Sequence, residues 1–275
     1  MADLASYLQS VKLPVMPEVA NALIRTLYDP NADVPMVVGV ISKDPALTTT
    51  LVRMANSAIF GLSRSVNSLD SAVSVVGMTQ IRARALSICL ANAFELPPAL
   101  NRLEFWRDSM VCAGYAKWLA ASSGLDVHQA WLTGMMLRLG EVVIAQRSPE
   151  MLERIEQVPL TPGERWTRER TLVGFDEGEI TAELANRWDF PEDVFMALKH
   201  ASNPMAASPF SKLSGVVHLG GLLADQAANG LPALDALPAD VMRALRLDVS
   251  KLQPKLPLAE SFSDTSMLQT GLHLA

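Results

Sequence analysis

Apolar side chains recur at three- and four-residue steps along most of the chain, which is the spacing of one face of an α-helix. Leu69, Ala72, Val73 and Val76 form one such run, which stops at Gly77. Another begins after Asp44-Pro45 and contains Leu47, Leu51, Met54, Ala55 and Ile59. We find no convincing strict alternation of apolar and polar residues, the pattern of a half-buried strand. The pattern therefore predicts an all-α protein with ten or more helices.

Capping residues and prolines indicate where helices begin. Asp44-Pro45 and Ser208-Pro209 each place a side-chain acceptor before a proline that suits the first helical position. Thr161-Pro162-Gly163-Glu164 has the spacing of a capping box. Further starts are expected at Pro17, Pro191 and Pro238. Helices are predicted from about Thr79 and near 104–122, 126–146, 176–188, 191–201 and 208–229.

Composition and charge bear on the kind of partner that the protein can bind. The 275 residues carry a formal net charge of −6 with a pI near 5.3, which argues against a generic polycationic nucleic-acid binder. Most of the acidity lies in residues 104–210, which hold 10 basic and 16 acidic side chains. Leu96-Pro97-Pro98 is the best internal boundary. The tail after Asp248 is linker-like, and we expect it to pack on its own body or on a neighbouring chain.

The chain has the features of a cytoplasmic protein that does not enter a membrane. No stretch approaches the roughly 20 apolar residues that span a bilayer, and the first residues lack the basic-then-apolar pattern of a signal peptide. Cys89 and Cys112 have no CxxC spacing and lie in apolar helical context, so we interpret them as buried free thiols.

Catalytic chemistry is poorly supported by the residues themselves. There are four histidines, and no HExxH, GxSxG or P-loop motif occurs. His200 and His218 lie on separate predicted helices that could approach each other, and we interpret both as satisfied, partly buried histidines. Spacing alone predicts no metal site. Asp176, Glu177, Glu179 and Glu183 share one predicted helix and are typical of a solvated face.

Two small groups of basic residues could contact phosphate or nucleic acid. One is Arg82 with Arg84, and the other is Trp166 with Arg168 and Arg170. Solvated arginines that lie over apolar surface explain both groups more simply. Nucleic-acid binding is therefore disfavoured.

An ordered set of motifs resembles the HDOD domain, a bacterial relative of the HD-type phosphohydrolases. The set covers roughly residues 8–205. It consists of Leu13-Pro14-Val15-Met16-Pro17, Ile41-Ser42-Lys43-Asp44-Pro45-Ala46-Leu47, Arg53-Met54-Ala55-Asn56-Ser57-Ala58-Ile59-Phe60-Gly61, Ser68-Leu69-Asp70-Ser71-Ala72-Val73 and Val76-Gly77-Met78.

The resemblance implies a multi-helix HD-domain-like fold, in which an N-terminal helical lobe packs on a degenerate HD-like helical lobe. We expect the domain over 8–205, with the first lobe at about 8–98, the HD-like lobe at about 104–205, and a C-terminal helical extension and tail over 206–275. The resemblance also implies a regulatory role, often in stress, motility or cyclic-dinucleotide signalling. Members of the family are generally considered non-catalytic.

The family motif also has a local physical interpretation. Asp44 caps a helix that Pro45 starts, and Asn56-Ser57 falls near its end, where a side-chain amide can satisfy free carbonyls or a turn. Gly61, after Phe60, permits a positive φ. We therefore expect a structural role for these residues, with ligand contact as the alternative.

HD-type hydrolases hold a divalent metal with a His, a His-Asp pair and later His or Asp ligands, and the resemblance maps those positions onto this chain. We call the mapped residues the HD-related positions. Leu137-Arg138 stands where the His-Asp pair would be, and leucine cannot ligate a metal while arginine is a fixed cation. The remaining HD-related positions are Asp108, Glu177, Ala201, Ser202 and Gly221, with His200 one place before the paired-histidine positions and His218 in the last segment.

This departure predicts that no metal or cofactor is held and that the protein is not an enzyme. If the fold is kept, Asp108, Arg138 and Glu177 can converge, with Arg138 replacing the metal cation between two carboxylates. The alternative is that Arg138 points to solvent. A pocket around Trp106, His200 and His218 could bind a small signal.

The leading functional hypothesis is a non-enzymatic signal-transduction module that binds a signalling protein partner. The second is a small-molecule or nucleotide receptor that uses the pocket at the HD-related positions, with Arg138 or the Arg82 and Arg84 pair as phosphate contacts. A cryptic metal-dependent phosphohydrolase is the third. The oligomeric state stays open, since Leu268, Leu272 and Leu274 of the tail could pack on the chain's own body or on a second copy.

Overall fold

The computed structural model describes residues 4–9, 11–27, 29–57, 65–157, 161–230 and 232–263. Within these ranges the regular structure is helical and no strand occurs, which confirms the predicted all-α class. The α-helices are α1 (Leu4–Gln9), α2 (Glu18–Arg25), α3 (Val34–Ile41), α4 (Pro45–Ala55), α5 (Leu69–Val76), α6 (Met78–Ala93), α7 (Arg102–Ser123), α8 (Val127–Met136), α9 (Leu139–Arg147), α10 (Pro149–Glu156), α11 (Glu164–Val173), α12 (Glu177–Arg187), α13 (Glu192–Lys199), α14 (Lys212–Ala228), α15 (Ala239–Ala244) and α16 (Val249–Leu252). Short 3-10 helices lie at Pro204–Ala206, Leu234–Ala236, Gln253–Lys255 and Ala259–Ser261.

The described residues divide into two compact units. The small unit contains residues 14–95 and 188–191, and the large unit contains residues 4–13, 96–187 and 192–263. The chain passes from the small unit to the large one between Glu95 and Leu96. The predicted limits of the two lobes and of the C-terminal extension remain predictions.

The small unit is built from α2 to α6 around an aliphatic core. Leu23, Ile41, Leu51, Ile81 and Leu86 are fully buried there. The helix starts follow the capping residues, since Asp44 Oδ1 accepts from Leu47 N at 3.0 Å and Ser68 Oγ accepts from Ser71 N at 3.2 Å. Gly77, at φ +94°, ends α5 and begins α6, a conformation that residues with a Cβ rarely adopt.

Arg82 corrects the expectation of a solvated arginine in this unit. It is buried on α6, and its Nη1 donates to the carbonyl oxygen of Thr26 just beyond the end of α2. A buried guanidinium must satisfy its donors within the protein, and a helix C-terminal carbonyl is a suitable acceptor. Arg84 is half-buried. Arg82 is therefore a structural link between α2 and α6.

The large unit centres on α7, which packs against α8 and α14, and these two helices also contact each other. A second layer is formed by α12, which packs against α9 and α13. Cys89 in the small unit and Cys112 in the large unit are buried free thiols, as predicted. Phe262 of the C-terminal segment packs on Tyr115 of α7, with 5.2 Å between ring centroids. Leu268, Leu272 and Leu274 lie outside the described residues.

Two predicted helix boundaries in the large unit are wrong. The single helix predicted over 126–146 is two helices, α8 and α9, which are separated at Leu137 and Arg138. The predicted start at Ser208-Pro209 is replaced by a start at Lys212, because Ser211 Oγ accepts from Ser214 N at 3.2 Å and forms the cap. The starts expected at Pro17, Pro191 and Pro238 agree with α2, α13 and α15.

Among the described residues, no single helix has both the length and the apolar composition needed to cross a bilayer. Helices α5 and α6 meet that test only when they are joined, and they are bent by 117° at their junction.

Candidate functional site

The break between α8 and α9 places Arg138 beside two carboxylates. Its Nη1 lies 3.3 Å from Asp108 Oδ2 of α7, and its Nη2 lies 3.0 Å from Glu141 Oε2 one turn along α9. The Arg138 side chain is 19% exposed, so these pairs are shielded from bulk water. Of the two alternatives for Arg138, the structure therefore shows the ion pair with Asp108, and it adds Glu141 as a second partner.

Arg165 of α11 extends this group into a larger cluster. Its Nη2 lies 3.0 Å from Glu141 Oε1, so Glu141 joins the two guanidiniums. Its Nε lies 3.1 Å from Glu169 Oε1 and 3.4 Å from Glu177 Oε2. We call Asp108, Arg138, Glu141, Arg165, Glu169 and Glu177 the arginine–carboxylate cluster. Glu177 pairs with Arg165 and not, as expected from the sequence, with Arg138.

The cluster is deeply buried at Arg165. The Arg165 side chain is 6% exposed and that of Glu169 is 0% exposed. A fourth carboxylate, the half-exposed Glu156 at the end of α10, also pairs with Arg165. Burying charges is costly unless each is paired, so Arg165 determines whether the surrounding carboxylates can remain ionised.

The carboxylates of the cluster differ in how burial and charge balance. Burial opposes ionisation of Glu141, but the guanidiniums of Arg138 and Arg165 outweigh it, and the pKa of Glu141 is lowered. Burial dominates at Glu177 and raises its pKa to about 7, despite the same two guanidiniums. Burial, followed by the charge of Glu177, also raises the pKa of Glu169. Three buried carboxylates share two guanidiniums, so we infer that a proton is retained on the Glu169–Glu177 pair up to near-neutral pH.

The turn that carries Leu137 and Arg138 is fixed against α12. Thr181 Oγ1 donates to the Leu137 carbonyl at 3.0 Å and accepts from Gly140 N at 2.7 Å. A Cβ at Gly140 would lie 2.2 Å from the Glu177 carbonyl oxygen, so only glycine allows α9 to approach α12 this closely. These contacts hold Arg138 in place through the backbone.

Trp166 of α11 lies among several HD-related positions. Its Nε1 donates to Glu177 Oε1 at 2.9 Å, and its ring centroid is 5.3 Å from that of His218. A Cβ at Gly221 would lie 3.1 Å from Trp166 Cζ2 and 3.3 Å from Leu137 Cδ2. The indole and the Leu137 side chain therefore fill the space that an aspartate at position 221 would need.

His218 is buried and satisfied on one side. Its Nδ1 lies 2.7 Å from the Ala201 carbonyl oxygen, which can only accept, so Nδ1 carries the proton. Burial lowers the pKa of His218, so its ring is neutral at pH 7. The segments that carry His200 and His218 do meet, as expected. The contact is between the His218 ring and the backbone carbonyl of Ala201, the residue after His200. His200 is half-buried, and among the described residues its side chain makes no hydrogen bond or ion pair with the cluster.

Ser202 belongs to a second polar group at the start of α12. Its Oγ donates to Asp176 Oδ2 at 2.7 Å and accepts from Arg170 Nη2 at 2.6 Å. Asp176 also accepts from Glu179 N at 2.9 Å and so caps α12. The sequence-based interpretation of Asp176 and Glu177 as part of a solvated face is wrong, since both are buried where α12 begins.

An open cavity of about 810 Å³ lies beside these residues in the large unit. Trp166, Ser202 and His218 are among its lining residues. The pocket expected around Trp106, His200 and His218 therefore exists at His218 but is displaced toward α11 and the end of α14. Trp106 is buried and packs on Phe105, with 4.9 Å between ring centroids.

Comparison with known protein families shows which family this chain belongs to. The HDOD domain model matches residues 13–204, which is most of the chain. The chain belongs to the HDOD domain family. An uncharacterized protein of Treponema pallidum (strain Nichols) is 27% identical over 212 residues, which is 74% of this chain, and the HDOD chain spans only 40% of that protein's length.

Two crystal structures share the fold of this HDOD protein. A candidate phosphohydrolase from Shewanella amazonensis SB2B has a TM-score of 0.73 at 23% identity, with coverage of 99% of this chain and 98% of the other. A candidate signal transduction protein from Marinobacter aquaeolei VT8 has a TM-score of 0.79 at 24% identity, with coverage of 98% and 64%. At these identities the likeness establishes the fold alone.

In the small unit, the HDOD motif residue Asn56 clamps the backbone. Its Nδ2 donates to the carbonyl oxygens of Val52 at 3.0 Å and Val66 at 2.7 Å, and its Oδ1 accepts from Val66 N at 2.7 Å. Asn56 thus ends α4 and holds the chain ten residues later. Ser57 follows it half-buried. Phe60 and Gly61 lie outside the described residues.

Sequence reasoning missed the residues that complete the site of the HDOD fold. Arg165, Glu141 and Glu169 were not among the candidates. Two spacings could have indicated them: Arg138 and Glu141 are three apart, and Arg165 and Glu169 are four apart, so each pair shares a helix face. Arg168 and Arg170, which were interpreted as solvated arginines over apolar surface, are partly exposed and pair with Glu164 and Asp176 respectively.

Proposed function

We propose that this HDOD protein is a non-enzymatic signal-transduction module, which acts by binding a signalling protein partner. The observation that carries the proposal is the position of Arg138, whose guanidinium lies between Asp108 and Glu141 at an HD-related position. A fixed cation at this point neutralises Asp108 and Glu141, so these two carboxylates are not available to a metal ion. The same residue therefore supplies local stability and removes the basis of metal chemistry.

The donor set at the HD-related positions does not fit a divalent metal. Leu137 offers no lone pair, Arg138 repels a cation, and the side chains of Trp166 and Leu137 leave no room for an aspartate at position 221. Within the described residues, no group of three or more His, Cys, Asp or Glu side chains is arranged to hold a metal ion. We derive no hydrolytic step for this protein.

The similar proteins support a regulatory role without specifying it. The Marinobacter aquaeolei structure is of a candidate signal transduction protein, and this chain covers 64% of it. The Treponema pallidum protein is also longer than this chain. The shared fold is compatible with a regulatory role but does not determine it, because one fold can host many functions. From the sequence we propose that the protein acts in the cytoplasm of a bacterium, in stress, motility or cyclic-dinucleotide signalling.

Crosslinking mass spectrometry in the native organism tests the proposed partner binding. Crosslinks from wild-type cells are compared with those from cells that lack the protein. We expect reproducible crosslinks to a response regulator or to a cyclic-dinucleotide enzyme. Crosslinks confined to abundant housekeeping proteins would contradict the proposal.

A turnover assay tests the proposed absence of catalysis. Purified protein is incubated with Mn²⁺ and bis(p-nitrophenyl) phosphate, a general substrate for phosphodiester hydrolysis. We expect no p-nitrophenol above the level of the same mixture without protein. Hydrolysis by the wild type that is proportional to protein concentration and lost with a chelator would contradict it.

One observation favours a second function, that of a small-molecule receptor. The cavity beside Trp166 and His218 has a volume of about 810 Å³, which is within the range of about 300–1,000 Å³ that is typical of ligand sites. A ligand held there would contact helices α11 and α14, and it could bias the conformation that a partner recognises.

A further inference from the structure

One face of α14 forms a wall of the cavity. His218, Leu222 and Gln226 follow each other at four-residue steps, so their side chains share that face, and all three line the cavity. Trp166 of α11 lines it as well, with its ring tilted by 30° to that of His218. We call this space the α14 cavity. It presents aromatic and aliphatic surface beside polar side chains, which include those of His218 and Gln226.

The charge of the α14 cavity excludes anionic ligands. No lysine or arginine is among the described residues that line it, whereas Glu164 is one of them. The Asp225 carboxylate accepts from the backbone N–H of Gly163, another lining residue, at 3.0 Å. Arg168 is partly exposed and bound to Glu164 at 2.8 Å. Arg170, which contacts the lining residue Ser202, is paired with Asp176. A phosphate group in the cavity would therefore meet only guanidiniums that are already paired with carboxylates.

The polar groups of the α14 cavity have defined hydrogen-bonding roles. Because His218 Nδ1 donates to the Ala201 carbonyl, Nε2 carries a lone pair, and no described residue donates to it. His218 is only 7% exposed, so this acceptor is available through the cavity alone. Gln226 Oε1 accepts from Ala233 N at 2.7 Å, which leaves the Gln226 amide nitrogen as a donor.

Together these features define the chemistry of a ligand. We propose that the α14 cavity binds an uncharged, flat nitrogen heterocycle of the nucleobase or nucleoside class, which donates an N–H to His218 Nε2 and accepts from the Gln226 amide. The ring faces pack on apolar surface that includes Trp166 and Leu222. Phosphorylated forms of the same heterocycle are rejected. The proposal rests on the proposed function in one respect, that the ligand is bound and not converted.

Isothermal titration calorimetry with adenosine and guanosine tests this proposal. We expect saturable binding of at least one nucleoside, and binding of its 5′-monophosphate that is weaker by about tenfold or more. Choline serves as a cationic probe and glucose as a neutral probe that has no nitrogen ring. Equal affinity for the monophosphate, tighter binding of choline, or no saturable binding of either nucleoside would overturn the proposal.

Two variants test the named contacts. His218→Asn retains an N–H that can reach the Ala201 carbonyl but removes the Nε2 acceptor, and it should weaken nucleoside binding by about tenfold. Gln226→Lys adds a cation to the cavity and should reverse the preference in favour of the monophosphate, whereas Gln226→Glu should not. Far-UV circular dichroism verifies that each variant is folded. Unchanged binding by folded His218→Asn and unchanged preference in Gln226→Lys would overturn the assignment.

The failures of this proposal and of the proposed function are distinguishable. Chromatography of the nucleoside after prolonged incubation shows whether it is converted. A converted nucleoside contradicts the non-enzymatic function and leaves the binding site in place. An inert protein that crosslinks to a signalling partner but binds no nucleoside retains its function and overturns the inference about the α14 cavity.

Discussion

Replacing Arg165 with methionine removes one guanidinium from the arginine–carboxylate cluster while keeping an unbranched side chain in place of the aliphatic part of arginine. Arg165 is paired with Glu141, Glu169 and Glu177 at 3.0, 3.1 and 3.4 Å, and all three carboxylates are buried. In the variant these carboxylates have only the guanidinium of Arg138 as a cationic partner within the cluster. The structure therefore predicts a large loss of stability.

The magnitude follows from the burial of the charges. Breaking a buried ion pair by removing one partner costs about 3–5 kcal/mol, because the remaining charge has no compensation. We expect the Arg165→Met variant to lose stability in this range at pH 8. At pH 5 the loss is smaller, since buried carboxylates without a guanidinium take up protons. Each unit by which the pKa of a carboxyl rises in the folded state corresponds to about 1.4 kcal/mol.

Urea unfolding followed by tryptophan fluorescence measures this effect in the large unit. Four of the five tryptophans lie there, namely Trp106, Trp118, Trp131 and Trp166. In folded Arg165→Met the buried carboxyls have higher pKa values than in the wild type. The folded variant therefore binds more protons than its unfolded chain, and it does so over a wider pH range than the wild type does. Its free energy of unfolding must therefore fall more steeply as the pH rises from 5 to 8.

Arg168→Met is the matched control on the same helix. Arg168 is 22% exposed and pairs with Glu164 one turn earlier, so its loss should cost about 1 kcal/mol or less. Equal losses for the two variants would refute the reasoning. So would a loss in Arg165→Met that is the same at pH 5 and pH 8, because it would show that no buried carboxylate depends on the guanidinium.

Three further predictions follow. The pKa of Glu177 is raised from its ordinary 4.5 to about 7, so the folded state binds an extra proton and the free energy of unfolding of the wild type falls as the pH rises between these values. Glu177→Gln should remove up to about 3 kcal/mol of that fall. An unchanged slope of the free energy of unfolding against pH, measured by urea unfolding, would contradict this prediction. Gly140→Ala places a Cβ against the Glu177 carbonyl and should cost about 1–3 kcal/mol in the same assay, whereas no loss would mean that α9 and α12 can separate freely. Asn56→Ala should cost about 1–2 kcal/mol and raise hydrogen exchange at Val66, and unchanged protection of Val66 would argue against the clamp.

The helix starts were predictable because their causes are local. Asp44 and Pro45 determine the start of α4 with side-chain and backbone groups within four residues. The break at Leu137 and Arg138 was missed because its cause is distant. The Thr181 hydroxyl on α12 bonds the backbone on both sides of the break, and no pattern within 126–146 records this contact.

The candidate site was predictable in part for the same reason. The resemblance drew attention to Arg138 and Asp108, which do pair. Glu177 looked solvated, since acidic residues at a helix start suit both water and the helix dipole. Its burial depends on α11, which brings Arg165 and the Trp166 indole against it. Spacing along one helix shows which residues share a face, but not what that face packs against.

Equilibrium dialysis of the purified protein against Mn²⁺, followed by elemental analysis, tests the central claim most directly. The claim is that Arg138 and Arg165 neutralise the carboxylates at the HD-related positions, so that no divalent metal is held there. Wild-type protein and Arg138→Gln are dialysed at pH 8 after far-UV circular dichroism has shown both to be folded. The account predicts substoichiometric metal in the wild type. One tightly held Mn²⁺ per wild-type chain, reduced when Asp108 is replaced by Asn, would contradict it.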